Sequence, residues 1–123
     1  MGKGVFEKWL NALGEAWIHR DPAAASNLCS ENVIYYEDPF LPPLKGREAV
    51  KKIWLDVPTT QKGIKFVYKI ITVSEDLGIA EWSASFIRVP SNTKAKLRGI
   101  YLVKLNSKGL CAEFHQWWNN KSE

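Results

Sequence analysis

The chain has few of the residues that usually carry metal and redox chemistry. It has two cysteines and two histidines in 123 residues. Cys29 and Cys111 are too few for a disulfide framework, and their apolar neighbours suggest small buried side chains. His19 and His115 lie at no metal-ligating spacing from each other or from the cysteines, so no metal site is expected. No apolar signal region opens the chain, and no stretch is long enough to span a bilayer. The default expectation is a cytoplasmic protein with no membrane contact. Met1-Gly2 starts like a myristoylation signal, but Phe6 occupies the position that needs Ser or Thr. Asn120-Lys121-Ser122 is a glycosylation sequon, which carries no weight without secretion. Basic residues outnumber acidic ones 17 to 13, for a net charge of +4. No basic run exceeds Lys51-Lys52, which argues against a nucleic-acid groove. Linkers, repeats and low-complexity segments are absent, so residues 1–123 read as one domain.

What the chain does have is aromatic rings: six Trp, five Phe and four Tyr. That much ring surface either fills a thick core or lines a cavity. Residues 5–20 read as an amphipathic helix, with Phe6, Trp9, Leu10, Leu13, Ala16 and Trp17 on one face. Gly14 inside that pattern permits a close backbone approach, and His19 places a favourable charge near the helix end. Asp21-Pro22 starts a second short helix, with Asp as N-cap and Pro in the first turn, filled by Ala23 to Cys29. A strand follows at Val33-Ile34-Tyr35-Tyr36. The segment 41–46, with Pro42-Pro43, is a stiff loop. Arg47 to Leu55 reads as a third helix, and 58–63 as a loop.

From Ile64 the period changes from helical to alternating. Long strands are expected over Ile64–Ser74, Ile79–Val89, Lys94–Leu105 and Leu110–Asn119. Helices first and antiparallel strands after indicate an α+β fold. Strands of about ten residues exceed the usual five or six, so the sheet must twist and curl. A curled sheet with helices on its concave side makes a cone. The expected lining is Trp17, Trp54, Phe66, Tyr68, Trp82, Phe86, Phe114, Gln116 and Trp118. Those rings either pack into a solid core or wall an apolar pocket with a few polar groups.

Asp38 ends the first strand, in the run Tyr35-Tyr36-Glu37-Asp38-Pro39-Phe40. The proline forbids helix at Asp38 and holds it extended. It is either a turn residue before proline or a fixed carboxylate beside aromatic walls, whose burial would raise its pKa into the range of a general base.

The runs Glu31-Asn32-Val33, Glu37-Asp38-Pro39-Phe40, Pro42-Pro43, Gly46-Arg47-Glu48 and Ile53-Trp54 resemble the same region of ketosteroid isomerases. Arg98-Gly99-Ile100, Asn106-Ser107-Lys108-Gly109 and Phe114-His115-Gln116-Trp117-Trp118-Asn119 also look like the nuclear-transport-factor-2-like superfamily, which includes the SnoaL-like polyketide cyclases. The resemblance implies a cone-shaped roll that binds a small apolar molecule and needs no cofactor. By position it makes Asp38 the general base, removing a proton next to a carbonyl, and Trp118 the aromatic beside it. Leu13 falls where the isomerases carry a donor tyrosine, and Tyr101 falls near their protonated aspartic acid. Tyr101 is then either an oxyanion donor or a wall tyrosine bonded to backbone. Arg98 has no acid in reach on its strand, unlike the epoxide-hydrolase branch. By the same resemblance Phe114, Gln116 and Trp118 face the cavity, and Glu113, His115 and Trp117 face outward. An outward Trp117 needs a cover, so a homodimer through that face is expected. The function expected is an isomerase or cyclase. The alternative is a non-catalytic ligand-binding or dimerisation module in which Asp38 only ends the strand.

Overall fold

The computed structural model describes residues 2–122. Met1, which opens the myristoylation-like pattern, lies outside them. Helix α1 spans Lys3–Ile18 and buries Phe6, Trp9, Leu10, Leu13, Ala16 and Trp17, the face the apolar spacing predicts. Helix α2, Pro22–Ser26, is shorter than its sequence pattern suggests. It is capped by the Asp21 carboxylate, which accepts from the Ala24 amide at 3.0 Å, with Pro22 in the first turn. Strand β1 then starts early, at Cys29, and runs to Tyr36.

A two-residue strand β2, Leu44–Lys45, emerges from the stiff proline loop and pairs with β1. Helix α3 spans Arg47–Trp54. One turn of helix, α4 (Val57–Thr60), occupies part of the expected loop, and strand β3 begins directly after it at Gln61. Strands β3 (Gln61–Ser74), β4 (Leu77–Arg88), β5 (Lys94–Leu105) and β6 (Cys111–Ser122) form an antiparallel meander.

The sheet order is β2-β1-β6-β5-β4-β3. Its end strands, β2 and β3, do not pair, so the curled sheet stays unclosed. Strand β1 runs parallel to β6, which makes the sheet mixed rather than wholly antiparallel. The parallel pairing follows from the connection, because the chain crosses the whole meander before returning beside β1. Among the described residues no helix is long and apolar enough to cross a membrane.

Alternation sets the inner face. Ala80, Trp82, Ala84 and Phe86 of β4 are buried, as are Tyr101, Val103 and Leu105 of β5. Helix α1 closes the narrow end of the cone. There Phe6, Leu10, Val33, Val103 and Phe114 are almost fully buried. Each such side chain stabilises the fold by about 1.5–3 kcal/mol. Gly14 permits a close approach of α1 to the sheet: a Cβ there would stand 2.8 Å from a ring carbon of Phe66.

Candidate functional site

The wide end of the cone is hollow. A cavity of about 310 Å³ lies there, at the lower end of ligand-pocket sizes. Its buried floor is made by Trp17, Tyr35, Trp82, Phe86 and Tyr101. Its rim carries Glu37, Asp56, Gln61, Arg88, Trp118 and Asn120. Register explains part of the space. Gly99 of β5 lies opposite Trp82 on one side and Trp118 on the other, so no side chain separates the two indoles. A Cβ at Gly99 would clash with the Trp117 backbone carbonyl and approach the Trp118 Cβ to 2.9 Å.

Several polar tips in the lining are engaged by the protein. The Trp17 indole N–H donates to Gln61 Oε1 at 2.8 Å. Gln116 Nε2 and Trp118 Nε1 both donate to the backbone carbonyl of Glu37, at 3.0 and 3.4 Å. Two side chains of β6 therefore grip the backbone at Glu37, just past the end of β1. The Glu37 carboxyl is thereby held at the cavity rim.

Burial, followed by the neighbouring carboxylates of Asp56 and Asp38, pushes the Glu37 pKa above the ordinary carboxylate range. Tyr35 and Tyr101 line the same cavity. Burial raises both phenols well above their usual range, and at Tyr35 the neighbouring Tyr101, Cys29 and Glu37 add to it, in that order. No hydrogen bond to a described residue holds either hydroxyl. A proton-accepting carboxylate and two neutral phenols therefore share one aromatic-walled space. Among the described residues no cluster of three or more His, Cys, Asp or Glu is arranged to hold a metal ion.

Asp38, expected as the base, does not line this cavity. Its carboxylate accepts from the Phe40 amide at 2.8 Å, which closes a tight turn around Pro39. It borders a separate surface depression with Pro39, Phe40, Trp117 and Trp118. The reason is the two-residue period: Tyr35 points inward, so Glu37 shares its side and Asp38 takes the other. Tyr101, Trp17, Trp54, Trp82, Phe86, Gln116 and Trp118 do line the cavity. Phe66, Tyr68 and Phe114 do not. Phe66 packs against Trp17 at 5.8 Å between ring centres, beneath α1. The Tyr68 hydroxyl donates to Asn11 Oδ1 of α1 at 2.6 Å. Phe114 is locked in the solid end, stacked on Tyr35 at 4.2 Å.

Outside the cone, His115 stacks on Tyr36 at 4.2 Å and on Trp117 at 5.9 Å, and bonds Glu113 at 2.9 Å. Trp117 is 44% exposed.

The expected lining omits Glu37, Tyr35, Asp56, Gln61 and Arg88. Alternation from Tyr35 is a sequence signal that reaches Glu37. Asp56 and Gln61 arrive through α4 and the early start of β3, where the sequence reads as loop.

Residues 8–114 match the SnoaL-like domain family. No curated protein matches the chain. Among solved structures, the chain is similar to RV0760c from Mycobacterium tuberculosis at 13% identity, covering 100% of this chain and 99% of that one, with a TM-score of 0.81. It is similar to a Δ5-3-ketosteroid isomerase from Mycobacterium sp. at 10% identity, with 97% and 98% coverage and a TM-score of 0.78. A computationally designed 17-OHP binder is similar at 16% identity, with 95% and 96% coverage and a TM-score of 0.77. At these identities the structures speak for the fold alone. With the profile match spanning most of its length, the chain belongs to the SnoaL-like domain family and has the nuclear-transport-factor-2-like fold.

Proposed function

We propose that the cone binds a small apolar carbonyl compound and that Glu37 removes a proton from the carbon beside the carbonyl. The reaction class is isomerisation or cyclisation through an enolate. The observation that carries this reading is the raised Glu37 carboxyl at the rim of an aromatic cavity, with its backbone held by Gln116 and Trp118. A carboxylate whose pKa is raised is a stronger base than a solvated one. Tyr101 is the proposed donor to the developing oxyanion. Its raised pKa keeps it a hydrogen-bond donor rather than an acid. Asp38 serves the turn. Fold neighbours that include both a ketosteroid isomerase and a designed binder fit either catalysis or binding in such a cone.

The test follows deuterium uptake at the α-carbon of 1-indanone in D2O by NMR. The reading predicts uptake faster than in buffer alone. Glu37→Gln abolishes the acceleration and Asp38→Asn keeps it. Equal loss in the two variants, or no acceleration at all, would overturn it. The second reading, ligand binding without catalysis, predicts 1-indanone binding with no acceleration.

The same proposal includes a homodimer through the outer sheet face of Glu113, His115 and Trp117. It is supported by the exposed indole of Trp117 beside the fully exposed Phe40, 94% accessible. A monomeric mass in light scattering at micromolar concentration would defeat it.

A further inference from the structure

The rim of the cavity carries three charged side chains, Glu37, Asp56 and Arg88. Opposite charges on one rim can neutralise each other by pairing. Here they do not: among the described residues Arg88 makes no ion pair, and its guanidinium has no hydrogen-bond acceptor. The two carboxylates act on each other instead, since after burial the Asp56 charge is the largest cause that raises the Glu37 pKa. Arg88 itself is held in place. Its guanidinium carbon lies 5.4 Å from the centre of the Phe86 ring, which is 4% exposed and forms part of the cavity floor. Lying over that ring keeps the planar cation at the cavity wall. The backbone beneath is fixed as well. The Arg88 amide donates to the Thr93 carbonyl at 2.8 Å, and the Arg88 carbonyl accepts from the Asn92 amide at 2.8 Å. Trp17, Gln116 and Trp118 spend their N–H groups on protein acceptors, whereas the Arg88 fork stays open. Such a fork matches a carboxylate with two parallel hydrogen bonds.

We propose that Arg88 sets the specificity of the cavity and that the ligand carries a carboxylate, which Arg88 binds at the mouth. This rests on the carbonyl-compound reading above and narrows it to apolar keto acids. Glu37 and Asp56 repel a carboxylate elsewhere on the rim, so Arg88 fixes which end of the ligand stays at the mouth. The carbonyl end then enters first, toward Tyr101 at the floor. A neutral ketone lacks that anchor and enters either way round.

The probes are 1-oxoindane-5-carboxylate and its methyl ester, which share a skeleton and differ in charge. Their affinities are measured by calorimetry for the wild type, Arg88→Gln and Arg88→Lys. The proposal predicts that the wild type prefers the acid over the ester by about tenfold. Arg88→Gln loses that preference. Arg88→Lys keeps part of it, because it retains the charge without the fork. The ratio of the two probes cancels any general effect of a substitution on the cavity. In the wild type alone, the preference shrinks with added salt, as expected of a half-buried charge pair. The Arg88 Nε–H resonance, assigned by its loss in either variant, moves on adding the acid and stays still with the ester. Equal affinity of the wild type for acid and ester, or an unchanged preference in Arg88→Gln, overturns the proposal and leaves the pocket reading intact. Binding of neither probe by the wild type overturns both.

Discussion

The two ends of the cone are built from the same kinds of residue and do different things. At the narrow end, Phe6, Leu10, Val33, Val103 and Phe114 interlock with almost no exposure. At the wide end, Trp17, Trp82, Phe86 and Tyr101 are nearly as buried, yet they surround open space. The difference lies in what stands between the rings. The narrow end is plugged by α1. The wide end is held open by Gly99, between two indoles in register, and by polar groups at its rim. Ring content alone therefore does not separate a core from a pocket. Polar tips that face no protein partner do.

Substitutions at the two ends separate stability from binding. The largest effect on stability is expected at the narrow end. Phe6→Ala leaves a cavity in the solid core and costs about 3–5 kcal/mol in denaturant unfolding, while 1-indanone affinity of the folded fraction is unchanged. An affinity loss of the same variant would break the separation. Gly99→Ala lies at the boundary and strikes both ends of the comparison. Crowding against the Trp117 backbone carbonyl and the Trp118 Cβ costs about 1–3 kcal/mol and narrows the cavity, so stability and affinity fall together. Asp38→Ala removes one turn hydrogen bond and costs about 0.5–1.5 kcal/mol, with binding intact.

The smallest effect is a pH dependence. The folded state holds the Glu37 proton more tightly than the unfolded state, whose ordinary value is 4.5. The stability this contributes is fully present below that value and is lost as pH rises through the raised folded-state pKa. Glu37→Gln should flatten that part of the melting-temperature profile and leave its acidic limb unchanged.

The fold was legible because its signals are local and periodic. The face of α1 and the alternation of β4 could be read residue by residue. The parallel pairing of β1 with β6 was not, because register between strands some eighty residues apart leaves no local trace. The site was half legible. Aromatic positions on inward strand faces reached the cavity, whereas Phe66 and Tyr68 did not, because α1 covers the start of β3. The family position drew attention to Asp38, while strand parity from Tyr35 places its neighbour Glu37 at the rim. Asp56 and Gln61 depend on where a one-turn helix ends and a strand begins, which sequence period does not resolve.

The most direct test of the central claim is a 13C NMR titration of the Glu37 side-chain carboxyl in the wild type and in Asp56→Asn. A half-buried carboxyl at the rim of this cavity, beside a second carboxylate, predicts a midpoint above 4.5 that moves down when Asp56 is neutralised. A midpoint at or below 4.5, unmoved by Asp56→Asn, would mean that Glu37 is solvated and that the hollow end of the cone does not hold a base.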